Sequence, residues 1–486
     1  MGDCDRKHGV VIGGGVAGLL AALALAEVVD RVTVIDRDHL PDGPAPRPGA
    51  PQGHHAHVLL PRGATAIESL APGTLAALSD AGAPQVGLPS SIVVRSPFGW
   101  MARHGPWESL LTCTRGLIEW VLRQRLVAGA RTTLLSGTDV ISLLGDASRV
   151  TGVVYRHRAD GTLTSLDASV VVDASGHGSA APRWLARFGL AVPETVVDSG
   201  VAYTTRPYHV PAALAARFPA VYMQLDMRKV SRGGLLLPVE DDRWLVTLFG
   251  TRGATPSSGA DGYLDFARRL PHPLIAELLA LAEPAGPARG FRRTANRRRH
   301  YDRMRRLPEG FVVLGDAACT FNPVYGQGVS VAALGALALR DAYATNAGGH
   351  TARDAQRAVT RAADTAWQIA AGVDQRNPLT RGARGPRTSR LRDRYLDRLG
   401  AIADHDPLVQ REVIGVYALT VPPARLLTPA MLLTAARGPA APPAGQPPLT
   451  NAELGALARA RAQGTQHRTP ASRSAVDVLD HSGGAR

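Results

Sequence analysis

Val10-Val11-Ile12-Gly13-Gly14-Gly15-Val16-Ala17-Gly18, followed by Val32-Thr33-Val34-Ile35-Asp36, is the stretch that decides the fold of this chain. An apolar strand runs into a Gly-x-Gly-x-x-Gly turn, a helix follows, and a second strand ends on an acid. Each part has a mechanical job in holding a dinucleotide. Gly13 permits the tight turn, Gly15 lets the backbone approach a pyrophosphate, and Gly18 lets the helix pack closely on the strand. The helix start at Val16 and Ala17 turns free N–H groups and a positive dipole end towards the phosphates. Asp36, about 20 residues after the glycines as the fingerprint asks, is placed to accept a ribose hydroxyl, with Arg37 beside it. The glycines alone are a weak signal. Strand, turn, helix, strand and acid in this order make a strong one.

A signal peptide or membrane helix is the competing reading for residues 10–26, which are mostly apolar. The glycines at its N-terminal end and a basic region limited to Arg6 and Lys7 speak against it. No other stretch approaches the ~18 uninterrupted apolar residues of a bilayer span, so no membrane span and a cytoplasmic location are expected. At 486 residues the chain should hold two or three domains. Cys4, Cys113 and Cys319 are too scattered for a disulfide framework or a zinc site, and no metal is expected. The net charge of +14 comes almost wholly from arginine, because Lys7 and Lys229 are the only lysines. No nucleic-acid module accompanies that charge, and nucleic-acid binding is not expected.

Two later segments repeat the strand–turn–helix pattern. Val170-Val171-Val172-Asp173 runs into Ala174-Ser175-Gly176-His177-Gly178-Ser179. Phe311-Val312-Val313-Leu314-Gly315-Asp316 leads through Phe321-Asn322-Pro323-Val324-Tyr325-Gly326-Gln327-Gly328 into an apolar helix at Val329–Ala342. Together with the first segment, over roughly residues 8–375, they resemble the flavoprotein monooxygenases of the para-hydroxybenzoate hydroxylase-like group. The resemblance implies FAD as cofactor, with Gly315 and Asp316 at the ribityl chain. It places Pro323, Gly326, Gln327, Gly328 and Val329 at the flavin ring, where a helix N-terminus stabilises negative charge on reduced flavin. Arg115, at the head of a helix where a cation is otherwise mildly unfavourable, matches a family arginine near the FAD phosphate or ribityl region. Asp173 reads equally as a structural acid and as a cofactor contact.

Pro51-Gln52-Gly53-His54-His55-Ala56-His57-Val58-Leu59 narrows the likeness further. Three histidines in four residues suggest a metal, but no Cys, Asp or Glu nearby completes a ligand set. The stretch resembles one found in bacterial flavin epoxidases of polyether assembly, the lasalocid and monensin type. VTVIDRD (Val32–Asp38), DSGVAYTTR (Asp198–Arg206), RWLVTLFGTRG (Arg243–Gly253) and NRRRHYDR (Asn296–Arg303) agree with it. That resemblance lays Gln52 or His57 along the FAD, although His54 stands where relatives more often carry arginine. The Trp-x-Trp signature of flavin halogenases is missing. So is the aromatic strand of geranylgeranyl reductases, where this chain reads Gly234-Leu235-Leu236-Leu237-Pro238-Val239.

The expected fold is α/β (α+β): a glutathione-reductase-like Rossmann FAD-binding domain, an antiparallel β-sheet substrate domain and a helical C-terminal region. The chain divides into FAD-binding segments at 1–85, 113–195 and 288–372 and substrate segments at 86–112 and 196–287. A helical cap follows at 373–464, and a disordered tail is expected at 465–486. With no second Gly-x-Gly-x-x-Gly unit, NAD(P)H must dock transiently or a separate flavin reductase must deliver electrons. The epoxidase resemblance implies O2 activation as an FAD C4a-hydroperoxide, whose electrophilic oxygen passes to an alkene of an apolar polyketide or prenylated intermediate, free or on a carrier protein. Such a transfer needs an apolar, water-poor cavity and no protein base; accordingly no catalytic residue is singled out. Hydroxylation of an aromatic substrate is the alternative. The arginine-dense segment Arg292–Arg306 is readable as steering for an anionic substrate, as phosphate contacts, or as solvated surface.

Overall fold

The computed structural model describes residues 7–129, 131–215, 218–345, 351–384 and 389–466. At its centre is a five-stranded parallel sheet in the order Phe311–Val313, Val170–Asp173, His8–Ile12, Arg31–Ile35, Thr132–Leu135. These short β-branched runs are buried on both faces, as a parallel sheet between two layers requires. Val11, Val34 and Val172 face helices Val16–Ala26, Arg115–Val127 and Gly328–Thr345. Val10, Ile12, Val171 and Val313 face the other way, onto Trp184 and the antiparallel sheet Thr138–Gly145, Val150–His157, Leu163–Asp167. Period-two alternation thus splits each strand between two cores.

The second large sheet has seven strands. Its main path runs Glu283–Pro284, Ala202–His209, Arg243–Gly250, Arg232–Val239, Ala220–Met223, Ile92–Arg95, with Arg289–Phe291 also pairing Ala202–His209. All pairs are antiparallel except Ala220–Met223 with Ile92–Arg95. Helices Ala260–Arg268 and Leu274–Leu279 cover one face, where Val221, Leu236, Val246 and Leu248 are buried. Leu235 and Leu237 lie on the opposite face with Tyr222. Of the aliphatic run read as a substrate face, then, Leu236 serves the helix-covered core.

Helices Ser389–Ala403, Pro407–Tyr417, Pro429–Arg437 and Asn451–Gln466 form the C-terminal region. Specific polar contacts dock it. Ser96 Oγ donates to Asp404 Oδ2 at 2.7 Å, Trp107 Nε1 to Gln410 Oε1 at 3.3 Å, and Arg103 pairs with Glu453 at 2.6 Å. The apolar run 423–436 buries Leu426, Met431 and Ala435 against Leu399 and Ile402, leaving Leu432 and Leu433 exposed. No helix among the described residues is long and apolar enough to cross a membrane. Residues 467–486, most of the segment read as a tail, lie outside the described residues.

Candidate flavin site

The glycine turn is built as its spacing demands. Gly13 has φ +102, a conformation that strains any side chain, and a Cβ on Gly18 would overlap the Gly13 carbonyl. No side chain caps helix Val16–Ala26, and no acid sits in its first turn. Its first N–H groups, including those of Val16 and Ala17, therefore have no side-chain cap and present the helix's positive end at the turn.

Asp36, buried at the end of its strand, accepts from the N–H of Gly14 at 2.5 Å and of Asp38 at 2.8 Å. It also pairs with Arg47 Nη1 at 3.1 Å. Two carboxylate oxygens retain acceptor capacity beyond these bonds. Arg47 in turn reaches Asp38 at 2.8 Å and Glu119 Oε2 at 2.9 Å, and Arg115 Nε meets Glu119 Oε1 at 2.7 Å. The result is a ladder of alternating charge across the turn. Both guanidiniums come within 3.2 Å of where a Cβ on Gly15 would stand, so only a bare glycine leaves the backbone approachable there. Burial alone would lower the Arg47 pKa, but Glu119 and Asp36 outweigh it and raise it. Glu119 is likewise disfavoured by burial yet held ionised by Arg115 and Arg47.

Sequence reasoning missed Arg47 and Glu119. Arg47 lies in a Pro-rich loop without periodicity, and Glu119 reads as an ordinary helix acid until Arg115, four residues earlier, is seen to share it. The Arg37 side chain is exposed, away from this ladder.

Gly315 has φ +64, and its missing Cβ leaves room for Ala17, which brings Asp316 onto the first helix. The Asp316 carboxylate has no partner among the described residues. Burial pushes its pKa up, while Arg115 opposes the shift. The loop after it ends in Gly326, with φ +66, whose α-carbon faces Val58 and the Tyr417 hydroxyl. Gln327 is 1% exposed, and neither its Oε1 nor its Nε2 has a partner. The Tyr203 hydroxyl, near enough to Asp316 for their charges to interact, is also buried and unpaired. Buried polar groups without partners are rare in proteins. Those of Gln327, Tyr203 and Asp316 fit the acceptor- and donor-rich ribityl chain and ring of a flavin, while the uncapped helix and the two arginines fit its pyrophosphate.

Pro323 is exposed at the loop, and Gly328 opens the helix on which Val329 is buried. The loop itself is tied to Asp374, a fully buried residue. Its carboxylate accepts from Tyr325 Oη at 2.6 Å, Asn296 Nδ2 at 2.7 Å, Ser199 Oγ at 2.9 Å and Asn322 Nδ2 at 3.0 Å. Asp374 lies beyond the last residue assigned to the FAD-binding segments from sequence, and nothing in its local spacing marks it. Asp173, by contrast, is 0% exposed and accepts from Ser175 N and Oγ and from Ser179 Oγ, at 2.9, 2.5 and 2.6 Å. Its carboxylate is occupied in shaping its own turn.

His57 pairs with Cys113 across strands His57–Leu59 and Glu108–Cys113, beside Arg115. Burial and that arginine hold its pKa near 4, so the imidazole is neutral. Gln52 sits in the preceding 3-10 turn with its side chain half-buried and without a hydrogen bond among the described residues. His55 points the other way. It bonds Thr205 Oγ1 at 2.8 Å and packs edge-on against Tyr203 at 4.6 Å, pinning the histidine stretch to the seven-stranded sheet.

A doubly wound FAD sheet, a glycine turn under two arginines and an unsatisfied polar cleft define a flavoprotein oxidoreductase. The chain belongs to the FAD binding domain family, whose model matches residues 7–371, and FAD is its cofactor. It is 31% identical over 433 residues to Protein Rv3254 of Mycobacterium tuberculosis, covering 85% of this chain and 90% of that protein. Its fold is similar to that of the flavin-dependent brominase Bmp2, with a TM-score of 0.65 at 17% identity, covering 89% of this chain and 98% of the other. It is also similar to p-nitrophenol 4-monooxygenase PnpA of Pseudomonas putida DLL-E4, with a TM-score of 0.62 at 18% identity, covering 86% and 98%.

Proposed function

We propose that this protein is a flavin-dependent monooxygenase that inserts one oxygen atom of O2 into an apolar substrate, by epoxidation of an alkene. Bound FAD, once reduced, supplies the activated oxygen. The chain's own residues bind the cofactor, shape the substrate space and keep water out. The observation that carries the reading is the ground between Gly326 and the seven-stranded sheet. Val58, Leu235, Tyr222, Ile414 and Tyr417 gather there, together with Leu60 and Leu237, in one largely apolar cluster. Tyr222 and Tyr417 are deep in the molecule yet keep accessible surface. Burial raises both phenols, Tyr417 to about 12, so they stay protonated and act as donors. An apolar surround with two neutral phenol donors supports oxygen transfer to an electron-rich double bond, which requires no substrate deprotonation.

Aromatic hydroxylation is the second reading, favoured by Tyr203, Phe291, Tyr222 and Phe249 on neighbouring strands. PnpA, by its name, acts on p-nitrophenol. We further propose that NAD(P)H docks transiently or that a separate reductase supplies electrons. The experiment supplies the holoprotein with NADPH, a flavin reductase and 18O2, and offers a linear polyene and a simple phenol in parallel. Labelled epoxide from the polyene is the expected product. Labelled catechol with an untouched polyene overturns epoxidation in favour of the second reading.

A further inference from the structure

A cleft of about 370 Å³ opens on the far side of strand Asn296–Arg299, between the turn Tyr301–Arg303 and helices Thr351–Ala362 and Asp364–Asp374. None of the glycine turns or orphaned groups of the flavin cleft lines it. Four arginines against two aspartates make it cationic. Arg298 is neutralised by Asp364 at 2.6 Å, and Arg357 leans on Asp354 at 3.8 Å. Arg303 and Arg361 are exposed at the mouth of the cleft and line it together, and their guanidiniums have no hydrogen-bond or ion-pair partner among the described residues. Beside them His300 is 8% exposed and bonds Thr195 Oγ1 at 2.8 Å through Nε2, while its Nδ1 is buried and unpaired. Asp302 Oδ1 is buried and unpaired as well. Burial and the nearby Arg303 and Arg298 lower the His300 pKa, so its ring adds no charge.

These groups ask for two chemistries at once. Two unpaired guanidiniums offer the fork geometry that binds phosphate oxygens bidentately. The buried Asp302 oxygen repels a bare anion but accepts a hydroxyl, and the His300 nitrogen is a second hydrogen-bonding position for the same ligand. Trp367 contributes an aromatic wall. The volume stands near the lower end of small-ligand pockets, roughly 300–1,000 Å³, which suits a single phosphorylated sugar and not a dinucleotide. We propose that this cleft binds a phosphate monoester of a ribose or ribonucleoside, one per chain, at a site separate from flavin and substrate. The arginine-dense segment read from the sequence thus divides its work. Arg297 and Arg299 pair with Glu194, at 3.5 and 3.3 Å, while Arg298 and Arg303 line this cleft.

The test is calorimetric titration of the FAD-loaded protein with ribose 5-phosphate, AMP and inorganic phosphate at constant ionic strength. Ribose 5-phosphate or AMP should bind saturably with one-site stoichiometry, and more tightly than inorganic phosphate. The paired substitution Arg303→Ala with Arg361→Ala should weaken that binding at least about tenfold, the effect of losing charge-assisted bonds. Asp302→Asn should weaken the sugar phosphate and not inorganic phosphate. Unchanged flavin absorbance in each variant shows that the fold and the FAD site persist. Absence of saturable binding at millimolar ligand overturns the proposal. So does sugar-phosphate binding that the double variant leaves intact, or inorganic phosphate binding as tightly as the esters.

Discussion

Gly15 is the position where a single carbon decides cofactor binding. Its missing Cβ is what Arg47 Nη2 and Arg115 Nη2 close upon, at 3.1 and 3.2 Å. Gly15→Val fills the phosphate approach and wedges the two guanidiniums apart. The purified variant should be colourless, with little flavin released on heating; full occupancy would show that the pyrophosphate lies elsewhere. Asp316 makes a second, smaller case. Its carboxylate has no protein partner, so Asp316→Ala costs the fold little and loosens FAD by one or two hydrogen bonds, on the order of 1–3 kcal/mol. Fluorescence titration of the apoprotein with FAD measures it, and an unchanged dissociation constant would remove Asp316 from the cofactor.

The loop Asn322–Gly328 owes its shape to a residue in another element. Asp374, at the end of helix Asp364–Asp374, receives four side-chain donors, two of them from the loop itself. Burial raises its pKa, and the hydrogen bonds from Tyr325, Asn322 and Ser199 pull it back. Asp374→Ala strands those donors, at about 1–3 kcal/mol for each one left buried without a partner. Urea denaturation should show the loss, and FAD affinity should fall with it, because Gln327 follows directly on the tethered segment. A destabilised variant that still holds FAD normally would separate the tether from the cofactor loop.

Asp404 ties the C-terminal helices to Ser96 and responds to pH. One oxygen accepts from Ser96 and the other is buried without a partner, and burial pushes the pKa to about 6 from the ordinary 3.8. The folded state therefore prefers the protonated form. That contribution is complete below the ordinary value and is lost as pH rises through about 6. The displacement corresponds to on the order of 3 kcal/mol. Asp404→Asn, which keeps an acceptor for Ser96, should gain stability over the parent between pH 4 and pH 7, as read by denaturation at each end. Equal pH slopes in the two proteins would show that Asp404 titrates normally.

Local patterns told the backbone story well, and long-range charge told the rest. The glycine turn, its flanking strands and the Gly315 turn are contiguous in sequence, so their spacing carries their geometry. Arg47, Glu119 and Asp374 meet their partners across elements, and no periodicity announces such meetings. Five strands of the large sheet were legible from their turns, but the short Glu283–Pro284 and Arg289–Phe291 were not, and the division of Leu235, Leu236 and Leu237 between two faces needed the register. Tyr417 was hidden for the same reason. It lies on a helix read as a generic cap, yet its hydroxyl stands over Gly326.

The order of the five parallel strands also governs how the chain is made. Strand His8–Ile12 finds Arg31–Ile35 almost at once, but its other neighbour, Val170–Asp173, is encoded far downstream, and the edge strand Phe311–Val313 farther still. On a ribosome adding about 5–20 residues per second, the first of those delays is on the order of ten seconds. Throughout it the greasy helix Val16–Ala26 and a naked strand edge must wait without their final cover. Nascent chains are thus exposed to clumping in proportion to how crowded and how warm the cell is. Slow expression in the cold, with a holdase chaperone in excess, is the route by which the molecule should be recovered in quantity.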